Sequence, residues 1–116
     1  MIVKICGIQN EDTLLCCEKN NIDFFGMIFY PKSPRNISIK NANHLQKISA
    51  DLNIEGVGVF VNKNIDELEE IIKNLKLKFV QLHGSEDEQY IKSLKKMDVK
   101  IIKSISINNN NDLNKI

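Results

Sequence analysis

Two kinds of segment alternate along the chain, and they differ in the spacing of their apolar residues. Short runs rich in Ile, Val and Phe are typical of buried strands, whereas segments with an apolar residue every third or fourth position are typical of amphipathic helices. The runs predict five strands, at residues 2–6, 24–30, 57–61, 79–82 and 99–105. The intervening segments predict four helices, at 10–20, 39–49, 65–75 and 86–97, and the beginning of a fifth at 112–116.

Strict alternation of strand and helix implies parallel strands joined by right-handed helical crossovers. Periodicity alone leaves two architectures open, an open doubly wound sheet or part of a (β/α)₈ barrel. Residues two apart in a strand share a face, and three strands combine an aliphatic face with a polar, small or reactive one. The second set comprises Lys4 and Cys6; Gly58, Phe60 and Asn62; and Gln81 and His83. A doubly wound sheet is more often apolar on both faces, so this pattern favours a barrel of the TIM type with the second set pointing inward.

Composition narrows the classes of function. The 116 residues are enough for one domain with a real core, and 42% are hydrophobic and 27% charged, as in an ordinary globular domain. A net charge of +1 gives no general attraction to nucleic acid or anionic membranes, and no apolar run reaches the roughly 20 residues of a membrane span. Because residues 1–7 lack the features of a signal peptide, we expect a cytoplasmic protein. Three cysteines, two of them adjacent, indicate reduced thiols without zinc-site spacing.

Arg35 is the only arginine in a lysine-rich chain. A guanidinium differs from an ammonium in offering a planar fork that can pair with a carboxylate or phosphate through two hydrogen bonds. Arg35 is therefore a candidate ligand-binding residue, although composition alone also allows an ordinary surface arginine.

Four motifs, each at the end of a predicted strand, identify a family. They are Lys-Ile-Cys-Gly-Ile at 4–8, Gly-Met-Ile-Phe-Tyr-Pro-Lys-Ser-Pro-Arg at 26–35, Val-Gly-Val-Phe-Val-Asn at 57–62, and Val-Gln-Leu-His-Gly at 80–84 followed by Glu86. Each motif alone is weak, but the ordered set resembles the phosphoribosylanthranilate isomerase family from residue 1 to about residue 107. The resemblance implies a TIM-type barrel and an Amadori rearrangement of N-(5-phosphoribosyl)anthranilate in tryptophan biosynthesis, with no metal and no organic cofactor.

The same resemblance assigns roles to four residues. Cys6 matches the family's general base, which removes a proton from C2 of the ring-opened imine, whereas a lone strand cysteine would otherwise be a small buried apolar residue. Arg35 matches an arginine that contacts substrate, and the anthranilate carboxylate is its expected partner. Gln81 and His83 match polar residues of the pocket, where His83 either contacts substrate hydroxyls or holds the turn at residue 84.

Asn62 has two interpretations, a pocket residue or the N-cap of the following helix, and the cap is favoured. We likewise expect Asn10 and Ser38 to cap the first and second helices.

The chain also departs from the family. The family's general acid is an aspartate after a sixth strand, and its phosphate site follows the seventh and eighth strands. Neither has a match here, and Asp112 does not fit the acid's motif. We therefore expect one domain over 1–116 that forms an incomplete N-terminal part of a (β/α)₈ barrel and is inactive alone. It is a piece of a longer chain, a natural half that pairs with another chain, or a remnant with a different role; the first is favoured.

An incomplete barrel would leave its first and fifth strands as edges and expose its inner face, including Ile28 and Phe60, to water. Such a chain is expected to self-associate or to bind a missing C-terminal half. Its other expected partner is a small phosphorylated substrate, with no nucleic acid or membrane. The alternative function is a non-catalytic α/β binding or interaction module. A response-regulator receiver is disfavoured, because it would need acidic residues where the first and third strands end in Cys6-Gly7 and Val61-Asn62.

Overall fold

Five parallel strands alternate with four helices in the computed structural model, which describes residues 1–115. The strands are β1 (Lys4–Cys6), β2 (Phe24–Phe29), β3 (Glu55–Phe60), β4 (Phe79–Leu82) and β5 (Lys100–Lys103). The helices are α1 (Glu11–Lys19), α2 (Ile39–Ser49), α3 (Ile65–Leu75) and α4 (Glu88–Lys95). A 3-10 helix at Asn110–Lys115 replaces the start of the predicted fifth α-helix, and residue 116 lies outside the described residues. The predicted order of elements is confirmed, with ends that shift by a few residues.

The order of strands in the sheet is the order of strands in the chain, β1-β2-β3-β4-β5. A doubly wound sheet reverses this progression at a switch point, and the five strands described here have no such reversal. Right-handed crossovers that always advance in one direction place every helix on the same face of the sheet. Consistent with this, α1 contacts α2, α2 contacts α3 and α3 contacts α4. The arrangement is that of a (β/α) barrel, as the sequence predicts.

The hydrophobic core lies between the sheet and the layer of helices. Fully buried leucines of the helices pack there against every second residue of the central strands. The strand residues of this core include Phe25, Met27, Phe29, Phe60, Val80 and Leu82, and the helix residues include Leu14, Leu45, Leu68 and Leu94.

The opposite face corresponds to the inside of a barrel. Register aligns Cys6 with Gly26 and Val57, and Ile28 with Val59 and Gln81, so these side chains share that inner face. The inward direction predicted for β1 and β4 is therefore confirmed.

The prediction for β3 was wrong. Phe60 is fully buried on the helix side, where its ring stacks on Phe29 with centroids 5.1 Å apart and planes at 11°. Gly58 lies on the same side, because a Cβ there would come within 2.8 Å of Leu77. The valines of β3 therefore face inward. Ile28 does lie on the inner face, but it is only 8% exposed, so neither residue expected to meet water does so.

At the start of the helices, a polar side chain accepts a hydrogen bond from a backbone N–H group of the first turn. Asn10 accepts a hydrogen bond from the Thr13 N–H at 2.9 Å, and Ser38 accepts one from the Asn41 N–H at 3.1 Å, which confirms both predicted caps. The cap of α3 is Asn64 and not Asn62, since the Asn64 side chain accepts the first free N–H groups of that helix. None of the helices within residues 1–115 has the length and apolar character to cross a membrane.

Candidate active site

The carboxyl ends of the five strands lie along one edge of the sheet, where parallel α/β folds place their ligand sites. Cys6 ends β1, Arg35 belongs to the loop between β2 and α2, Gln81 lies in β4, and His83 directly follows β4. All four predicted site residues therefore belong to this end of the sheet.

The space around the Cys6 thiol depends on a glycine of the neighbouring strand. Cys6 is half-buried on the inner face beside Gly26. A Cβ on Gly26 would come within 2.8 Å of the Cys6 sulfur, so only glycine leaves room for the thiol at its present position. Of the other cysteines, Cys17 is buried in the core, where burial and neighbouring Cys16 raise its pKa, and Cys16 is exposed on α1.

Arg35 and Cys6 are in direct contact. The Arg35 guanidinium donates from Nη1 to the backbone oxygen of Cys6 at 3.3 Å. Its side chain lies across Gly7, whose φ of +83° favours glycine, and a Cβ there would come within 2.7 Å of Arg35. The same turn lets the N–H groups of Gly7 and Ile8 both donate to the Gly26 oxygen at 3.0 Å. The structure thus brings together the predicted base and the predicted carboxylate-binding residue.

Gln81 is held in place by a residue that the sequence did not identify. Its side-chain amide donates to the Ser104 hydroxyl at 2.8 Å. Ser104 follows β5 as His83 follows β4, because Leu82 and Lys103 are partners in the sheet. Because Ser104 holds the same position after β5 that His83 holds after β4, the sequence could have indicated Ser104 as a site residue.

His83 is anchored through its backbone, and its side chain is exposed. Its N–H donates to the Phe60 oxygen at 2.9 Å, which extends the pairing of β4 with β3 by one residue. The imidazole forms no hydrogen bond with the described side chains, so its ring nitrogens are available to a ligand.

Asn62 does not cap α3. It has a positive φ of 49°, and its side-chain oxygen accepts the N–H of Ser85 at 2.9 Å, so it ties the end of β3 to the loop after β4. Asn64, two residues later, accepts from the N–H groups of Asp66 and Glu67 and is the cap.

A buried ion pair between Glu86 and Lys103 lies behind the His83 loop. Glu86 follows the fourth sequence motif, but the sequence pattern indicated no role for it. The Glu86 side chain is 1% exposed, and its carboxylate is 2.9 Å from the Lys103 ammonium. Burial raises the pKa of Glu86, but hydrogen bonds from Lys103 and from backbone N–H groups outweigh burial and hold it below its ordinary value of 4.5. Burial and the nearby Glu86 charge also raise the pKa of Tyr90 to about 12, and its hydroxyl donates to the Lys63 oxygen.

Metal ligands do not cluster in the part of the chain that the structure describes, where no group of three or more His, Cys, Asp or Glu side chains comes together. The chemistry available to the described site is that of a thiol, a guanidinium, an amide and an imidazole.

Comparison with known proteins supports one family throughout. The sequence profile of N-(5'phosphoribosyl)anthranilate (PRA) isomerase matches residues 3–116. The N-(5'-phosphoribosyl)anthranilate isomerase of Staphylococcus epidermidis is 39% identical over 116 residues, which cover 95% of this chain and 56% of the relative. That of Maridesulfovibrio salexigens is 38% identical over 96 residues, or 83% of this chain and 45% of the relative. This chain therefore spans about half the length of the curated relatives that it matches.

Solved structures of phosphoribosyl anthranilate isomerases superpose closely on this chain. A crystal structure of phosphoribosyl anthranilate isomerase from Thermotoga maritima superposes with a TM-score of 0.92 at 32% identity and covers 99% of this chain and 56% of its own. Another structure of the enzyme, in complex with reduced 1-(o-carboxyphenylamino)-1-deoxyribulose 5-phosphate, superposes with a TM-score of 0.90, again at 32% identity, over 99% of this chain and 59% of its own. The resemblance seen in the four motifs is confirmed along nearly the whole sequence, and the chain belongs to the N-(5'-phosphoribosyl)anthranilate isomerase family.

Proposed function

We propose that this chain supplies the general base and the carboxylate-binding side of an active site that isomerises N-(5'-phosphoribosyl)anthranilate. The observation that carries the proposal is the contact between Arg35 and the backbone of Cys6 at the carboxyl ends of the strands. Family membership supports it, as does a relative that binds a reduced form of the phosphorylated product. Helices on one face of the sheet favour this function over a non-catalytic binding module, which an open sheet with helices on both faces would favour instead.

The proposed chemistry is an Amadori rearrangement by general acid–base steps. An acid protonates the ribose ring oxygen, and the ring opens to an iminium at C1. The Cys6 thiolate then removes the proton from C2, and the electrons of that C–H bond form a C1–C2 double bond while the iminium nitrogen becomes neutral. Transfer of the hydroxyl proton from O2 to C1 converts this enol-amine to the ketone product.

Arg35 would hold the anthranilate carboxylate during these steps through two parallel hydrogen bonds. Its guanidinium also donates to the Cys6 backbone oxygen. The hydrogen bond between Arg35 and Cys6 would therefore set the distance between the bound carboxylate and the thiol. Gln81, held by Ser104, and the exposed imidazole of His83 would bind polar groups of the sugar. A small phosphorylated substrate is thus the proposed ligand.

The general acid and the phosphate site have no counterpart among the four assigned residues. The family resemblance assigns both to segments after a sixth, seventh and eighth strand, and the strands described here end with β5. The side chain of Asp112 lies outside the described part of the structure. We therefore propose that the chain alone does not turn over substrate.

The decisive experiment is an isomerase assay with enzymatically generated phosphoribosylanthranilate. The chain is assayed alone and with the part of the Staphylococcus epidermidis enzyme that lies beyond the matched region. We expect activity only in the mixture, and its loss with Cys6→Ala but not with the matched Cys16→Ala variant. Activity of the chain alone would mean that one of its own residues is the acid. Inactivity of the mixture, with no binding of the reduced product analogue, would favour the binding module instead.

A further inference from the structure

We propose that Glu86 is a positioning residue of the site: together with Lys103, it clamps the peptide of Gly84 and thereby fixes the direction in which His83 projects. The inference rests on the proposed function, in which the His83 imidazole contacts substrate.

The Glu86 carboxylate joins the ends of three strands. One oxygen accepts the N–H of Gly84 at 3.0 Å and the Lys103 ammonium at 2.9 Å. The other oxygen accepts the N–H of Asn62 at 2.8 Å. Since Asn62 follows β3, Gly84 follows β4 and Lys103 ends β5, a single buried side chain links all three.

Gly84 is held from several sides. Its N–H donates to Glu86, and its carbonyl oxygen accepts a hydrogen bond from the Lys103 ammonium. A Cβ at this position would lie 2.6 Å from the Asn62 side-chain oxygen, which itself accepts the N–H of Ser85. The two peptide groups that flank Gly84 are therefore each held by a hydrogen bond: the one before it through its N–H to Glu86, and the one after it through its oxygen, which accepts from Lys103.

His83 sits between this clamp and the sheet. Its own N–H is bound to the Phe60 oxygen at 2.9 Å, and the next residue is the clamped Gly84. With the backbone fixed on both sides, the direction of its Cα–Cβ bond is fixed as well, while the imidazole remains exposed. This combination of a rigid backbone and a free functional group is what a preorganised ligand contact requires.

Stability alone gives a poor account of the ion pair. Removing a carboxylate and an ammonium from water is costly, and apolar replacements of buried ion pairs are often neutral or stabilising. The Lys103 side chain is still 28% exposed, so water reaches this edge of the sheet and could satisfy N–H groups there. Water could not, however, hold the turn at Gly84 in one fixed geometry, as Glu86 and Lys103 do.

The first test is made on the 116-residue chain by NMR, comparing Glu86→Gln with Glu70→Gln, which alters an exposed carboxylate of α3. In Glu86→Gln we expect amide hydrogen exchange at Asn62 and Gly84 to accelerate about tenfold, as for the loss of roughly one hydrogen bond. The His83 ring signals should also shift or broaden, whereas Glu70→Gln leaves both readouts unchanged. Wild-type exchange rates and His83 signals in Glu86→Gln would overturn the proposal. If Glu86→Gln does not fold, Lys103→Met is measured against Lys103→Arg, which keeps the cation, and the same two outcomes apply.

The second test is a double-mutant cycle in the complemented enzyme. Glu86→Gln should lower kcat/KM roughly 10–100-fold when His83 is present, the size expected for a misplaced contact. It should have less than about a twofold effect in the His83→Ala background, because a residue that acts through His83 has nothing left to position. Equal losses in both backgrounds would make Glu86 a general structural residue and overturn the proposal. If the wild-type mixture is inactive, the proposed function fails, and the NMR comparison decides the role of Glu86 independently.

Discussion

At the scale of single residues, the position of the Cys6 sulfur depends on the absence of a side chain at Gly26. A methyl group there would come within 2.8 Å of the sulfur and 3.1 Å of the Cys6 Cα. We predict that Gly26→Ala displaces the thiol and lowers the activity of the complemented enzyme roughly 10–100-fold. The rate of Cys6 alkylation, followed by peptide mass spectrometry, should change with it.

Gly58→Ala is the matched control, because Gly58 also lies in a central strand but on the helix side. Its added methyl group would meet Leu77 and Phe60 at 2.8 Å, so overpacking should cost about 1–3 kcal/mol of stability without altering the thiol. Equal Cys6 alkylation rates in the two variants would contradict the role given to Gly26.

Arg35 is predicted to be irreplaceable by lysine. Arg35→Lys keeps the charge but loses the planar fork, and the hydrogen bond to the Cys6 oxygen goes with it. We expect the affinity of the complemented enzyme for the reduced product analogue to fall by about 1.5–3 kcal/mol, measured by calorimetry. Lys32→Met, an exposed change in the same loop, should leave the affinity within error. Unchanged binding by Arg35→Lys would remove Arg35 from the proposed site.

At the scale of elements, two asparagines near the start of α3 have different roles. Asn64 accepts the N–H groups of Asp66 and Glu67, at 3.0 and 3.3 Å, so Asn64→Ala should lower the free energy of unfolding by about 1 kcal/mol. Asn62→Ala should leave α3 intact and instead speed amide exchange at Ser85, its hydrogen-bond donor. Residue-resolved hydrogen exchange distinguishes the two; faster exchange along α3 in Asn62→Ala would restore the original interpretation of Asn62 as the cap.

The sequence could not separate these asparagines, because both precede the helix and share the same capping chemistry. The difference arises from a contact with Ser85, 23 residues further on, and from the positive φ of Asn62. Local caps such as Asn10 and Ser38 were predictable, since their partners lie three residues away. The same limit applies to Glu86, whose partners lie on other strands.

The connection that Glu86 makes between β3, β4 and β5 should depend on pH. Its pKa is lower in the folded chain than its ordinary value of 4.5, so its stabilising contribution is complete above that value and is lost as the pH falls through the folded pKa. We predict that the wild-type chain loses more stability than Glu86→Gln between about pH 6 and about pH 3, measured by urea unfolding. Glu70→Gln should follow the wild type. A parallel loss in all three proteins would place the acid sensitivity elsewhere.

At the scale of the whole molecule, the alternation of elements predicted the sheet and its parallel strands, and the strand faces favoured a barrel. The faces of β1 and β4 were assigned correctly because each carries polar residues that cannot enter the core. In β3 both faces are buried, and Gly58, which the sequence pattern placed on the inward face, instead makes room for Leu77 and Phe60 on the helix side. When both faces of a strand are apolar, the sequence pattern does not indicate which face points toward the helices. The faces of β3 could therefore be assigned only from its register with β2.

The two outer strands of the sheet, β1 and β5, are expected to be sites of association with another chain. Among the described residues, β1 pairs only with β2 and β5 only with β4, so each end offers unpaired backbone groups to another chain. Ile102 of β5 shares the inner face with Gln81 and is 39% exposed. We therefore expect the chain alone to self-associate with rising concentration in analytical ultracentrifugation, and to form a one-to-one complex when the C-terminal part of the Staphylococcus epidermidis relative is added.

Ile102→Glu should weaken both associations, because it buries a charge wherever another strand covers this end of the sheet. Ile39→Glu is the control. Ile39 is 42% exposed, as Ile102 nearly is, but it lies on α2 in the helix layer and not on an outer strand of the sheet. A species that stays monomeric at every concentration and ignores the added segment would show that the ends of the sheet are not association sites. Weakening by Ile39→Glu and not by Ile102→Glu would instead locate the contact on the helices. Loss of activity with Ile102→Glu, restored by a large excess of the added segment, would tie the assembly of the site directly to this edge.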